Sequence, residues 1–291
     1  MSLAEINRDN VPVLISSEAR LLDGKKDRDL RTAAELLSKG EVIVAPICGV
    51  MGFVCDATQR DGSDFIYELK GRDRSQQLIT AGSTITRQRL IAFHKLHPSW
   101  EGFDFSSIYD LPAFIIFPAA DGLPKDFVRP DPEDNQTDTV AVWWANYYSI
   151  TRRLESFLQQ IKPDAIIGGS SCNRSRQESI VHSDHAFNEF GRGEMRVAAI
   201  VYDRDFDEAR GLLQGSHGML KISGDKIKSY RAGCVHMDSF KSLLRERLII
   251  PDDFRNSPDA VLMDYARVRR NKHYLKEQPH LWHRLFSLAP H

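Results

Sequence analysis

Residues 36–72, LLSKGEVIVAPICGVMGFVCDATQRDGSDFIYELKGR, decide what kind of fold this chain adopts. Just upstream, Leu30, Ala33, Ala34 and Leu37 fall at helical spacing and predict a helix over 29–39 that Gly40 stops. EVIVAP (41–46) is an almost unbroken apolar run ending in Pro46, the pattern of a buried strand, and GFVCDA (52–57) predicts a second. Asp61 or Ser63 can cap a following helix whose Phe65, Ile66 and Leu69 face inward, with Gly71 placed to terminate it. Helix, two strands and helix in immediate succession describe a sheet covered by helices, not a helical bundle or an all-β sandwich.

Working outward, residues 1–27 are polar and irregular and predict a leader over the surface. Downstream, a helix is expected over 85–97 and another over 148–161. Strands are expected at 111–119, 139–145, 164–168, 195–203, 218–223 and 226–233, with the Pro- and Asp-rich PKDFVRPDPEDNQTD (124–138) as a loop. Strands and helices intermix without a strict βαβ rhythm, so the expected class is α/β or α+β around a large mixed sheet, spanning 28–237. Residues 238–291 are rich in Arg and Lys without strand signals and predict an appended helical extension.

Composition narrows the function classes. With 42% hydrophobic residues, the 291-residue chain can bury a normal core without metal or disulfide. A net charge of −1 supplies no whole-protein basic footprint for packaging nucleic acid. The beginning of the chain lacks a secretory pattern, no run approaches a membrane span of roughly 20 apolar residues, and the four cysteines are scattered. A cytoplasmic protein with reduced thiols and no membrane partner is expected.

Two places carry candidate chemistry. Lys70 and Arg72 bracket Gly71 at a helix end, where two cations can serve a polyphosphate or simply answer the helix dipole. In DAIIGGSSCNRSRQES (164–179) an apolar run opens into glycines, hydroxyls, an amide and guanidiniums; this is a surface turn or an anion-binding loop, and it lacks the spacing of a Walker loop. The pairs His94/His97, His182/His185 and His280/His283 have the spacing for zinc on a helix but no acidic or thiol companion, so packed or solvated histidines are expected. Trp143-Trp144 and Tyr147-Tyr148 can stack bases, but in an apolar strand followed by a helix they read as core and rim.

In order along the chain these pieces resemble the YrdC-like family, the threonylcarbamoyl-AMP synthases of tRNA modification. Family members show a helix, a "G-x-I-V-x-P" strand, a "PTDTxYGL" turn, a strand ending "DA" and a helix closing in "KGR". Later come a "SAN-x-SG" loop, matched by Ser171 to Ser175, and an "ST" strand followed by "RxG", matched near Ser216 and by Arg231 and Gly233. The resemblance covers roughly residues 28–236. It implies a twisted mixed sheet flanked by helices, with a concave basic surface binding ATP with Mg²⁺. Lys70 and Arg72 are then the catalytic and nucleotide-binding pair, joined at the nucleotide by Ser171, Asn173 and Arg231, while Ile47, Cys48, Gly49 and Ser216 lie at the substrate end. The implied reaction joins bicarbonate to an amino acid's amine and adenylates the carbamate, releasing pyrophosphate.

The departures are specific. The family's "TDT" is Ile47-Cys48-Gly49 here, its tyrosine is Met51, the loop glycine is Arg176 and the threonine of "ST" is His217. Two hydroxyls and a carboxylate are lost on the amino-acid side, so threonine is expected to give way to another amine or to carbamoyl phosphate. The competing reading is a non-catalytic RNA- or nucleotide-binding protein of the same fold, favoured by the basic YARVRRNKHYLK (265–276). tRNA or another RNA and a second copy of the chain complete the expected partners. No metal ligand set is expected.

Overall fold

A computed structural model describes residues 18–47, 49–83, 86–103, 105, 113–131, 133–144, 149–208 and 215–256. Seven α-helices occur among them: α1 (Asp27–Ser38), α2 (Arg60–Lys70), α3 (Arg87–Leu90), α4 (Ser149–Ile161), α5 (Ser183–Phe190), α6 (Arg204–Glu208) and α7 (Asp238–Leu244). The first strands are β1 (Arg20–Asp23), β2 (Ile43–Ile47), β3 (Val50–Asp56), β4 (Ile79–Gly82), β5 (Ala113–Pro118) and β6 (Val128–Pro130). They are followed by β7 (Asp138–Trp144), β8 (Ile167–Ser171), β9 (Ala199–Tyr202), β10 (Gly218–Ser223), β11 (Lys226–Arg231) and β12 (Leu248–Ile249). All belong to one sheet, in the order β1-β9-β2-β3-β8-β4-β7-β5-β10-β11-β12, with β6 pairing β7.

The sheet is mixed, as expected: β2–β3, β3–β8 and β5–β7 are antiparallel, whereas β2–β9, β4–β7 and β5–β10 are parallel. Every residue of β2 and β3 is buried, so these central strands are covered on both faces, and the one charged side chain among them, Asp56, pairs with Lys162. Helices α1 and α4 pack against each other and over β2, and α2 packs over β3 and β8. From α1 the buried side chains are Leu30, Ala33, Ala34 and Leu37, the stripe read from the sequence. Each leucine contributes about 1.5–3 kcal/mol by leaving water.

Several local expectations are corrected. Residues 20–23 of the expected leader form β1, which pairs in parallel with β9; with Leu22 as its one buried residue, the segment shows no alternation that would announce a strand. The expected helix over 85–97 is one turn of α3 and a 3-10 turn at Phe93–Lys95. Helix α2 starts at Arg60 with Gln59 as its N-cap, and Ser63 instead bonds Asp126 and the Arg60 carbonyl. The expected loop 124–138 contains β6, held antiparallel to β7. Of the extension, residues 238–256 are described and are not purely helical. Strand β12 pairs in parallel with β11, and Arg247 stacks on the Trp100 ring 4.2 Å from its centroid. Edge pairing and cation–π stacking fasten this segment to the sheet.

Candidate functional site

Strand β8 was expected to end at residue 168, yet it runs through Gly168, Gly169 and Ser170 to Ser171. Gly168 and Gly169 are strand residues because they pair with β3 and β4, and they are glycines because nothing larger fits: a Cβ on Gly169 would overlap the Phe53 carbonyl, and one on Gly168 would overlap the Phe127 ring. The polar loop proper starts at Cys172. Asn173 Nδ2 donates to the carbonyls of Arg174 (3.0 Å) and Gln177 (2.7 Å), and Arg176 takes φ 70°. That is the left-handed conformation a glycine adopts freely, so Arg176 keeps the turn geometry at a steric cost.

Lys70 and Arg72 diverge at Gly71, whose φ of 55° and ψ of 42° end α2 in a left-handed cap. Lys70 is only 4% exposed. Its ammonium donates to the carbonyls of Ser171 (2.5 Å) and Asn173 (2.7 Å), with Ser171 Oγ at 3.4 Å and Asn173 Oδ1 at 3.3 Å, while its own carbonyl accepts from Ser175 N. Lys70 and Asn173 therefore build the loop from beneath. Burial, and then the Arg72 guanidinium, push the Lys70 pKa down to about 7. Arg72 turns the other way. Its Nη1 donates to Ser170 Oγ (2.8 Å) and its Nη2 to the Gln77 carbonyl (2.9 Å), and its buried Nε has no partner.

A cleft of about 670 Å³, mouth included, opens beside Arg72. Its lining mixes the polar Arg72, Gln77, Ser170, Ser171, Ser216 and Arg231 with the apolar Ile47, Val50, Ile79, Phe114 and Met219, and includes Gly52 and His217. Strands far apart in sheet order meet here because the chain closes over the gap: Gly215 N donates to the carbonyl of Gly49 (2.8 Å), itself at φ 77° in the β2–β3 turn. Arg231 Nη2 donates to Ser216 Oγ (3.1 Å) and to the His217 carbonyl (2.9 Å). Among the described residues the cleft lining contains no carboxylate.

Of the residues singled out in the sequence, Arg72, Ser171, Arg231, Ser216 and Ile47 line the cleft together. Lys70 and Asn173 support it, Gly49 ties the turn to the opposite rim, and Cys48 lies outside the described residues. Gln77 and Ser170 were missed as site residues. Ser170 was visible in the polar run; nothing near Gln77 marks it. His217 is 2% exposed, and neither ring nitrogen has a hydrogen-bond partner. Burial, and then Arg231, hold its pKa at about 3, so it stays neutral. His94 and His97 belong to separate 3-10 turns, His182 precedes α5, and no cluster of three or more metal-ligating side chains occurs among the described residues. His280, His283, Tyr147 and Tyr148 lie outside them, as does the basic 265–276 segment, and Trp143 is core. Burial raises the Cys55 and Cys172 thiols far above the range of a reactive cysteine.

The family model Sua5_yciO_yrdC, described as "Telomere recombination", matches residues 35–205, more than half of the chain. This chain belongs to the Sua5/YciO/YrdC family. Solved structures agree on the fold. P. abyssi Sua5 complexed with L-threonine has a TM-score of 0.63 at 17% identity, covering 90% of this chain and 77% of that one. E. coli YciO has a TM-score of 0.54 at 14% identity, covering 74% and 94%. Full-length HypF in its phosphate- and nucleotide-bound form has a TM-score of 0.51 at 12% identity, covering 70% of this chain and 29% of that one. No curated protein matches the chain by sequence. No helix among the described residues is long and apolar enough to cross a membrane.

Proposed function

We propose that this protein is an ATP-dependent enzyme that forms a carbamoyl adenylate from ATP, bicarbonate and an amino acid or other small amine. The observation that carries the reading is the electrostatic state of the cleft. Elsewhere Arg74, Arg153, Arg174 and Arg192 each pair with a carboxylate. Arg72 makes no ion pair among the described residues, and Arg231 lines the same cleft close enough to act on its charge. Two guanidinium groups held near each other raise the energy of the empty cleft and lower that of one filled by a polyanion. P. abyssi Sua5 binds L-threonine and HypF binds phosphate and a nucleotide, ligands of the classes this reading requires.

The chemistry asks little nucleophilic power of the protein. The amine nitrogen attacks the carbon of bicarbonate and water leaves, giving a carbamate. A carbamate oxygen then attacks the α-phosphorus of ATP, the bond to the bridging oxygen breaks, and its electron pair leaves with pyrophosphate. Arg72 and Arg231 neutralise charge along the phosphates, Ser171 and Ser216 offer hydroxyl contacts, and Lys70 with Asn173 holds the loop in place; positioning and preorganised charge supply the catalysis. Mg²⁺ enters as part of the MgATP substrate; among the described residues the lining offers it no carboxylate. The family likeness favours tRNA modification as the setting, and reduced buried thiols suit the cytoplasm.

The test is pyrophosphate release with MgATP and bicarbonate across amino acids, amines and carbamoyl phosphate, with mass spectrometry for the AMP conjugate. Turnover with one partner is expected. ATP binding without turnover across the panel would instead favour a nucleotide-binding protein, and salt-dependent RNA affinity would extend that second reading.

A further inference from the structure

His217 is a cleft residue whose side chain the fold leaves unanswered. It lines the cleft, yet it is buried, and both ring nitrogens lack a hydrogen-bond partner. Its backbone is fixed on either side. The His217 carbonyl accepts from Arg231 Nη2, and the next residue, Gly218, opens β10 opposite Ala113. Successive side chains along a strand alternate between faces. A Cβ on Gly218 would meet Met237 on one face, so His217 shares the other face with Met219, and both line the cleft. The imidazole therefore belongs to the cleft and not to the opposite side of the sheet.

Burial, and then the Arg231 charge, keep this ring neutral. A neutral imidazole presents one N–H donor and one acceptor. The large majority of buried side-chain polar atoms find a partner, so two unmet atoms on one cleft residue call for an account. Arg72 repeats the pattern in the same cleft. Its Nη atoms donate to Ser170 Oγ and the Gln77 carbonyl, and its Nε–H is buried without a partner. Donors left unmet in this way cost free energy that an entering acceptor recovers. An oxyanion suits them best, because it accepts several bonds at once and its charge is answered by Arg72 and Arg231. The neutral ring adds a donor there without adding a third positive charge.

We propose that His217 is a ligand-contacting residue of the cleft, whose imidazole turns an N–H towards an oxyanion held at Arg231. Its nitrogens are covered, so the contact forms as the ring turns about its Cβ–Cγ bond, a torsion that is broad for histidine. Resting on the adenylate-forming reading above, the oxyanion is a phosphate of the nucleotide or a carboxyl group of its co-substrate. Both present the same acceptor chemistry, and the experiment separates them.

The experiment follows the nitrogen NMR signals of the histidine rings in the full-length protein while MgATP, pyrophosphate and acetate are added separately. The His217 signals are identified by their loss in His217→Gln. Calorimetry reports whether each anion binds, and Arg231→Ala whether it binds in the cleft. The expected result is that the His217 signals move as at least one anion saturates. Movement with MgATP and pyrophosphate assigns a phosphate oxygen, and movement with acetate alone assigns a carboxylate. His217→Phe should weaken that anion by about tenfold or more, because it fills the space and removes the donor. His217→Asn or His217→Gln, which keep an amide N–H, should recover part of the loss, a rescue that a merely packed ring would not show. If His217→Phe folds poorly, the wild-type titration and the two amide variants carry the test. Signals unmoved by every anion that binds in the cleft, or wild-type affinity in His217→Phe, would overturn the proposal and leave the adenylate reading standing. No binding of any of the three anions would remove both.

Discussion

Lys70→Met tests whether the buried ammonium is the support of the loop and how it carries its proton. The substitution keeps the length of the side chain and removes the nitrogen that bonds the carbonyls of Ser171 and Asn173. Leaving two buried carbonyls without a donor costs about 1–3 kcal/mol each. Relief of the buried charge opposes that loss. A pKa lowered from 10.5 to about 7 corresponds to roughly 5 kcal/mol as the upper bound of that charge penalty. Below pH 7 both folded and unfolded chains hold the proton, so the wild type bears the full penalty and the two proteins differ least. Between pH 7 and 10.5 the unfolded chain keeps the proton and the folded one sheds it, so wild-type stability rises with pH by this group's contribution, while the neutral amine still donates to the loop. Above 10.5 the contribution is constant. Urea unfolding of both proteins between pH 6 and pH 10 reads the gap directly, because all other titrating groups cancel in the difference. The expected outcome is a wild-type advantage that widens by a few kcal/mol from pH 7 to pH 10. A gap that stays constant or narrows would refute the reasoning and mean that the four surrounding oxygens hold a fully charged ammonium.

Arg72→Ala is expected to weaken ATP binding by about 1.5–3 kcal/mol, roughly ten- to hundred-fold in Kd by calorimetry, with Arg72→Lys falling between because it keeps the charge and loses the fork; unchanged affinity in the alanine variant would dismiss the phosphate wall. Arg176→Gly relieves a left-handed residue at φ 70° and should raise stability by about 0.5–1 kcal/mol in urea melts, less whatever the unfolded chain gains in freedom. For His217, the folded pKa of about 3 lies below the ordinary 6.5, so its contribution is fully present above pH 6.5 and is lost as pH falls from 6.5 towards 3. His217→Gln should therefore lose less stability than the wild type over that window, measured by the same melts; parallel acid profiles would show that His217 is not buried neutral.

The fold was legible where a period is long enough to count. The α1 stripe, the uninterrupted β2 and β3 runs and the moment-bearing helix α4 are all read from apolar spacing. Strands β1, β4, β6 and β12 have two to four residues each, or lie in Pro- and Asp-rich sequence, and are strands only because a neighbour already in the sheet supplies their hydrogen bonds. The same reason hid the true end of β8: Gly168 and Gly169 look like a turn in one dimension, and only their pairing with β3 and β4 makes them strand residues. At the site, residue types were legible and directions were not. Nothing in Lys-Gly-Arg says that the left-handed Gly71 sends one cation under the loop and the other towards the cleft. Gln77 was invisible because its role depends on carbonyls fifty and more residues away.

That divergence at Gly71 explains why two adjacent cations do not simply repel each other into solvent. Lys70 is satisfied by backbone oxygens of the segment it braces, and burial and then the Arg72 charge lower its pKa to about 7. Arg72 is held by a hydroxyl and a carbonyl, which orient the guanidinium without neutralising it. A carboxylate in place of Ser170 would hold Arg72 more tightly and cancel the field that an incoming phosphate meets. Ser170→Asp should therefore leave the fold standing, because an ion pair replaces a hydrogen bond, and should abolish ATP binding in the calorimeter. ATP bound by Ser170→Asp with wild-type affinity would show that the phosphates do not meet Arg72 at all.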